Sequence, residues 1–304
     1  MIITLLFVLL TYIILTHSDI SLYYAFQGFT LWYSKMIPAL MPFMILSGII
    51  IRMNLSEKFV GFFHPILKRI YKCTPNVTYG LIIGFLCGFP MGARVTAELL
   101  ENGKITRKEA EYLLAFNNNI GPVYFCAIAL PLLQIHTLLP YFLGMYGIPL
   151  LYGVFLRYTK YRNLQECLGE EAYITAKTSL QLPQARASFF ESADDAIKGA
   201  VNSILMLCGY MIFFNTLNLL PHFFLPGIQN LIAPVLEITG GLNLLENTMP
   251  IYSLCMLHFG GLSCIAQTNC MIRNTGLSLK KYVEHKINIA LLACVYYLLL
   301  ELII

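Results

Sequence analysis

Arg94 stands alone among the glycines and proline of GFPMGAR at residues 88–94, and Asn117, Asn118 and Asn119 stand together in NNNIGP at residues 117–122. A guanidinium offers a fork of donors and carboxamides offer both donors and acceptors, a set that can surround an anion or another polar solute. A second group lies in the other half of the chain: Glu237 and Thr239 in EITGG, His258 in HFGG, then Gln267 and Asn269. Glu237 is the sole acidic residue between 196 and 245. It suits a proton or coupling-ion site, or an internal counterion for Arg94. His258 can donate to a carboxylate or carry a proton.

Each of these residues also has a structural reading. Arg94 can snorkel or pair with Glu98 one turn on. The asparagines can repay the backbone for the interruption at Pro122, Glu237 can sit at a surface, and His258 can be a satisfied donor. Glycines such as those of GFLCG can serve close helix packing. No GKS or GKT phosphate loop, Ser-His-Asp order or HExxH occurs in the chain, so no enzyme activity and no cofactor are expected. The nine cysteines are odd in number and lie mostly in apolar runs without CxxC pairs beside histidines. They read as small hydrophobes, and no metal site is expected.

Such polar residues need elements to hold them, and the composition says in what solvent. The 304 residues are 58% hydrophobic and 12% charged, against about 25% charged in ordinary soluble domains. Residues 112–156, 199–236 and 247–272 carry no Asp, Glu, Lys or Arg, enough for several spans of roughly 20 residues. An all-α polytopic membrane protein is expected. The basic residues sit beside apolar runs without any nucleic-acid motif, so no nucleic-acid partner is expected.

Along the chain, residues 2–16 read as an uncleaved first span, because no basic n-region precedes them and no small-x-small site follows. SDISLYYAFQGFTLWYSK reads as an outer loop and interfacial helix, and span two covers about 30–50. Residues 77–89 are too short to cross, and Gly88, Pro90 and Gly92 interrupt them before MGARVTAELLENG continues as a second short helix. Two half-length helices joined in this way make a re-entrant hairpin, tolerable only if its tip is packed in protein or lines a cavity. Thr106 with Glu109 has the spacing of a capping box. The helix it starts breaks at Gly121 and Pro122 and resumes as a discontinuous span three. Span four ends at Arg157, residues 157–198 form a cytoplasmic linker or surface helices, and span five begins at 199. Gly240 and Gly241 interrupt a second hairpin, Gly260 and Gly261 interrupt span six, and span seven closes the chain.

The order span, hairpin, broken span, span occurs twice, giving a first repeat at 29–156 and a second at 199–304 after an N-terminal unit of span and outer loop at 1–28. With residues 52–72 cytoplasmic, 94–108, 157–198 and 273–286 fall on the same side, which collects 19 of the 20 Lys and Arg. That topology puts the N-terminus in the cytoplasm and the C-terminus outside. It also inverts the two repeats, the sequence pattern of a secondary transporter with a midplane site.

GFLCGFPMGARVTAELLENGKITRKEAEYLLAFNNNIGPVYF, with EITGGL and HFGGLSCIAQ in the second half, resembles the YlbJ (SpoVV) family of sporulation integral membrane proteins, in the nucleoside-recognition or Gate-domain group. The resemblance runs from about YSKMIPALMPFMILSGI to the final span. It implies a secondary transporter that exports dipicolinate from the mother cell across the outer forespore membrane of an endospore-forming bacterium, with H+ or Na+ as a possible coupling ion. Transport of nucleosides or another small metabolite, and a non-transporting role in assembling the spore envelope, are the alternatives. Under the resemblance the hairpin motif falls on Gly88, Phe89, Pro90, Gly92, Ala93 and Arg94. The broken-helix motif falls on Asn117, Asn118, Asn119, Gly121 and Pro122, and the second-half elements on Glu237, Thr239, Gly240, His258, Phe259, Gly260 and Gly261.

Overall fold

The computed structural model describes residues 1–164 and 188–303. The described residues are helical almost throughout, and the chain is an all-α, multi-spanning integral membrane protein. Helix α1 covers Ile2–Thr16. Helix α2 runs without a break from Ser18 to Arg52, 35 residues, or ~52 Å at 1.5 Å per residue. This corrects the outer loop expected before span two: Ser18 to Leu31 is already helix. Its aromatic residues lie along a continuous rod instead of in a separate interfacial piece.

Short helices follow, α3 at His64–Tyr71, α4 at Pro75–Cys87, α5 at Met91–Glu101 and α6 at Arg107–Leu114. Helices α7 (Pro122–Leu132) and α8 (Leu138–Tyr158) close the first half. Helix α9 (Phe189–Phe224) is the second long rod, of 36 residues. It begins ten residues before the expected start of span five, inside the expected linker. The rest of that linker, 165–187, lies outside the described residues. The second half then holds α10 at Gln229–Leu236, α11 at Ile238–Leu245, α12 at Pro250–Phe259, α13 at Gly261–Ile272 and α14 at Leu279–Glu301.

Three prolines inside these rods share one solution. Trp32–Met36, Phe125–Ala129 and Leu143–Gly147 are π turns, each ending two residues before Pro38, Pro131 or Pro149. A proline ring collides with the carbonyl four residues back, which here is in the middle of the wider turn. The helix therefore continues across the proline.

Helices α2 and α9 pack side by side. Gly28 lies against Met211, Gly48 against Ala196, and the Trp32 indole donates to the Ile204 carbonyl at 2.7 Å. One number rises as the other falls, so the two rods are antiparallel. Helices α8 and α14 show the same order, with Tyr296 on the Pro140 carbonyl at 2.8 Å and Tyr152 on His285 at 2.7 Å. The outward faces stay apolar: Leu291, Val295, Leu298 and Leu299 of α14 are exposed while Ile289, Ala293 and Tyr297 are buried. Such a face suits hydrocarbon, because the backbone of a helix satisfies itself.

The short helices are tied at their starts. Thr106 and Glu109 form the expected capping box. The same carboxylate accepts from the Thr74 hydroxyl at 2.9 Å, and Thr74 caps α4. One buried glutamate thus anchors two helix N-termini. Glu109→Ala is expected to lower stability by about 2 kcal/mol, since it removes one cap partner and loosens another. Thermal unfolding in detergent reads this, and an unchanged midpoint would contradict the shared anchor.

Candidate functional site

The helix interruptions gather at one place. At the end of α4 the chain turns through Gly88, at φ +87°, and Phe89 and Pro90, then starts α5. Gly88 lies directly on the backbone of Gly121, where the stretch between α6 and α7 is not helical. Pro122 follows as the first residue of α7. Gly92 lies against the next part of the same stretch: a Cβ there would be 2.6 Å from the Asn117 carbonyl oxygen and 2.8 Å from the Asn118 Cα. The turn between α4 and α5 and the first break therefore fill each other.

The second half repeats this contact. Gly260, at φ +89°, ends α12, and Gly261 starts α13 against the carbonyl oxygens of Pro234 and Val235, where α10 gives way to α11. Gly240 and Gly241, expected to interrupt the second hairpin, lie instead in the first turn of α11, and the interruption falls at Glu237, whose extended backbone separates the two helices. Gly241 lies against Ala233 and Pro234, and Gly240 against the Asn215 side chain. The halves meet where the Phe89 ring covers Gly260; a Cβ on that glycine would be 2.8 Å from the ring edge.

The three asparagines are all buried and each has a distinct task. Asn117 donates to the Gly92 carbonyl at 3.2 Å and the Thr96 hydroxyl at 3.1 Å, binding the break to the hairpin. Its own Oδ1 has no hydrogen-bond partner among the described residues. Asn118 accepts from the Ala93 amide at 3.3 Å and donates to Thr268 of α13 and Tyr282 of α14, both at 3.0 Å. Asn119 donates to the Phe116 carbonyl at 2.7 Å.

Arg94 is buried, and its guanidinium is already engaged. Nε and Nη2 meet Glu98 at 3.0 and 2.9 Å, and Nη1 donates to the Gly199 carbonyl at 3.0 Å and to Ser203. Of the two partners foreseen for it, the structure holds it to Glu98; Glu237 is not its counterion. Arg94→Ala is expected to cost about 3 kcal/mol, because it strands a largely buried carboxylate. Replacing Arg94 and Glu98 together by methionine should cost less than half of that. Equal losses in thermal unfolding for the single and double variants would contradict the pairing.

Glu237 is also buried and capped into place. Its Oε2 accepts from the Gly240 amide and the Thr239 hydroxyl, both at 2.7 Å, and Oε1 from the Thr239 amide at 3.2 Å. Asn215 adds a longer contact at 3.4 Å. The carboxylate thus caps α11 and draws α9 to it.

His258 is 1% exposed, and among the described residues neither ring nitrogen has a hydrogen-bond partner. Gln267 is buried and donates to Ser263 at 2.9 Å. Asn269 is exposed, turned away from the others; Thr268, one residue earlier, holds the inward position and bonds Asn118.

One central residue had been counted with the cytoplasmic charges. Lys286 is 1% exposed on α14, seven residues past its start, or ~10 Å along the axis. Its Nζ donates to the Asn118 carbonyl at 3.1 Å and to Asn119 Oδ1 at 3.3 Å. The Phe89 ring centroid is 4.6 Å from the same atom. A lysine two turns into an apolar helix is the signal that could have marked it, but Lys280, Lys281, Glu284 and His285 beside it make a polar helix start.

The chain is similar to the sporulation integral membrane protein YlbJ of Bacillus subtilis (strain 168), with 25% identity over 338 aligned positions that span 97% of this chain and 81% of that protein. No protein-family model matches the sequence, and no solved structure matches it. The likeness covers the whole arrangement of breaks and relates the chain to that sporulation protein.

Proposed function

We propose that the protein is a secondary transporter that exports dipicolinate from the mother cell across the outer forespore membrane during sporulation. Two inverted Gate-type repeats, 29–156 and 199–304, would each contribute a re-entrant hairpin (α4 with α5, α10 with α11) and a broken span. The N-terminus would be cytoplasmic and the C-terminus outside.

The observation that carries this reading is the antiparallel packing of corresponding elements around one set of buried interruptions. Helices α2 and α9 each precede a hairpin, α8 and α14 each follow a broken span, and both pairs run antiparallel. In each half a hairpin turn packs on a break, and Phe89 joins the halves. Non-helical backbone at membrane depth is tolerated where protein buries it or where it lines a path, and carriers built from inverted repeats bind substrate there. The similarity to a sporulation membrane protein and the family resemblance supply the substrate.

Rocking of one repeat against the other would open the site to each side in turn, with a proton or sodium gradient, or a sink beyond the membrane, as the driving force. The test is uptake of labelled dipicolinate by liposomes holding the full chain, with and without imposed proton and sodium gradients, competed by nucleosides and other dicarboxylates. Saturable flux that nucleosides do not compete is expected. No flux under any gradient overturns the reading, and efficient competition by nucleosides reassigns the substrate.

A further inference from the structure

Not every buried charge of the site has an ion-pair partner. Arg94 is matched by Glu98, and Arg157, also buried, is spent on the backbone carbonyls of Tyr71, Lys72, Tyr161 and Arg162. The ion pairs of the described residues include Arg94 with Glu98, Arg107 with Glu111 and Lys281 with Glu111. Lys286, almost wholly buried, belongs to none of them. Its ammonium rests on one main-chain carbonyl, one carboxamide oxygen and the face of Phe89. Glu237 has its oxygens turned to the cap of α11.

A buried ammonium usually has a carboxylate partner, and neutral oxygens are poorer acceptors for it. A second incomplete group lies on a helix packed against α14. His258 lies in the last turn of α12, and α12 packs along α14, which carries Lys286. The Phe89 ring that lies 4.6 Å from Lys286 Nζ also covers Gly260, two residues past His258, and the Tyr297 ring centroid is 6.0 Å from the imidazole. Both ring nitrogens are buried and have no hydrogen-bond partner among the described residues. Buried polar groups in native proteins nearly always have partners, and an orphan points to a group that arrives later.

We propose that Lys286 and His258 form the binding pair for a carboxylate of the substrate. The carboxylate would take Lys286 Nζ from Asn118 and Asn119 and accept the imidazole N–H, while Phe89 shields the pair at the junction of the two halves. Giving up the Lys286 bonds removes part of the link from the first break to α14 and leaves the Asn118–Tyr282 bond in place, so binding acts on the joint between the halves. This assignment rests on the carrier reading above and names the residues that give it an anionic substrate.

Binding is measured by calorimetry on the full chain in detergent, with dipicolinate, pyridine-2-carboxylate and succinate as probes and uridine and adenosine as neutral controls. Lys286→Met is expected to weaken carboxylate binding about 30-fold and His258→Gln about 10-fold, the loss of one charge-assisted and one neutral hydrogen bond. Lys286→Arg should recover most of the affinity, which a purely structural lysine would not require.

The pair is overturned if no carboxylate binds the unsubstituted chain, or if both variants bind within about twofold of it. Should Lys286→Met fail to fold, an unchanged affinity in His258→Gln overturns the proposal and a tenfold loss supports it. Carboxylate binding that depends on Lys286, without flux in liposomes, leaves the pair standing and removes the carrier. Dipicolinate flux and binding unaffected by either substitution do the reverse.

Discussion

Gly88→Ala is expected to destabilise the protein by roughly 4 kcal/mol and to abolish flux. Two costs add at this position. The backbone at φ +87° and ψ −169° is a conformation that L residues with a Cβ rarely adopt, worth about 1–3 kcal/mol. The new methyl would also overlap main chain, 2.7 Å from the Gly121 Cα. Main chain at a break cannot swing aside as a side-chain tip can, so overpacking adds about 1–3 kcal/mol more. Gly209→Ala is the control, because nothing lies within 4 Å of a Cβ there and the residue is inside α9. It should raise stability by about 0.5–1 kcal/mol. Thermal unfolding of both variants decides the matter: a Gly88→Ala protein as stable as its parent would mean that the turn is not packed on the break.

The positions of these contacts were legible in the sequence to different depths. Gly88, Pro90, Gly121 and Gly260 announce interruptions, because no long apolar run explains them, and each does end a helix or border a break. Thr106 and Glu109 were legible through spacing alone, yet the reach of Glu109 to Thr74, 35 residues away, was not. Local chemistry fixes a cap, whereas the third partner depends on how helices pack. The continuous helix from Ser18 was hidden by polar and aromatic residues that resemble a headgroup-level segment, and by Pro38, whose cost is absorbed by a π turn.

The candidate residues divide along the same line. Arg94 with Glu98 is an i, i+4 pair that a helical register predicts, and here the near partner prevailed over the distant one. Asn118 could be singled out as polar, but not as the residue that reaches Thr268 and Tyr282 from the other half. Asn269 and Thr268 differ by one step of 100° on a helix whose orientation the sequence does not state. Lys286 is the central residue least legible in the sequence. A lysine near polar neighbours reads as membrane flank, and only packing tells that α14 carries it inward.

Glu237 separates a cap from a coupling site, and the two make opposite forecasts. Its four donors come from two backbone amides, one hydroxyl and one carboxamide, so Glu237→Ala leaves buried amides without an acceptor at the start of α11. A loss of about 4 kcal/mol is expected from these unmet groups together. In Glu237→Gln one oxygen can still serve the Oε2 partners, but the new NH2 then faces the Thr239 amide, donor against donor. That change should cost about 2 kcal/mol. Because the carboxylate is occupied in holding α11 to α9, the Gln variant should transport more slowly while keeping the same dependence on imposed proton and sodium gradients. Loss of gradient dependence with thermal stability unchanged would instead give Glu237 the coupling ion, and the cap would then be incidental to its presence.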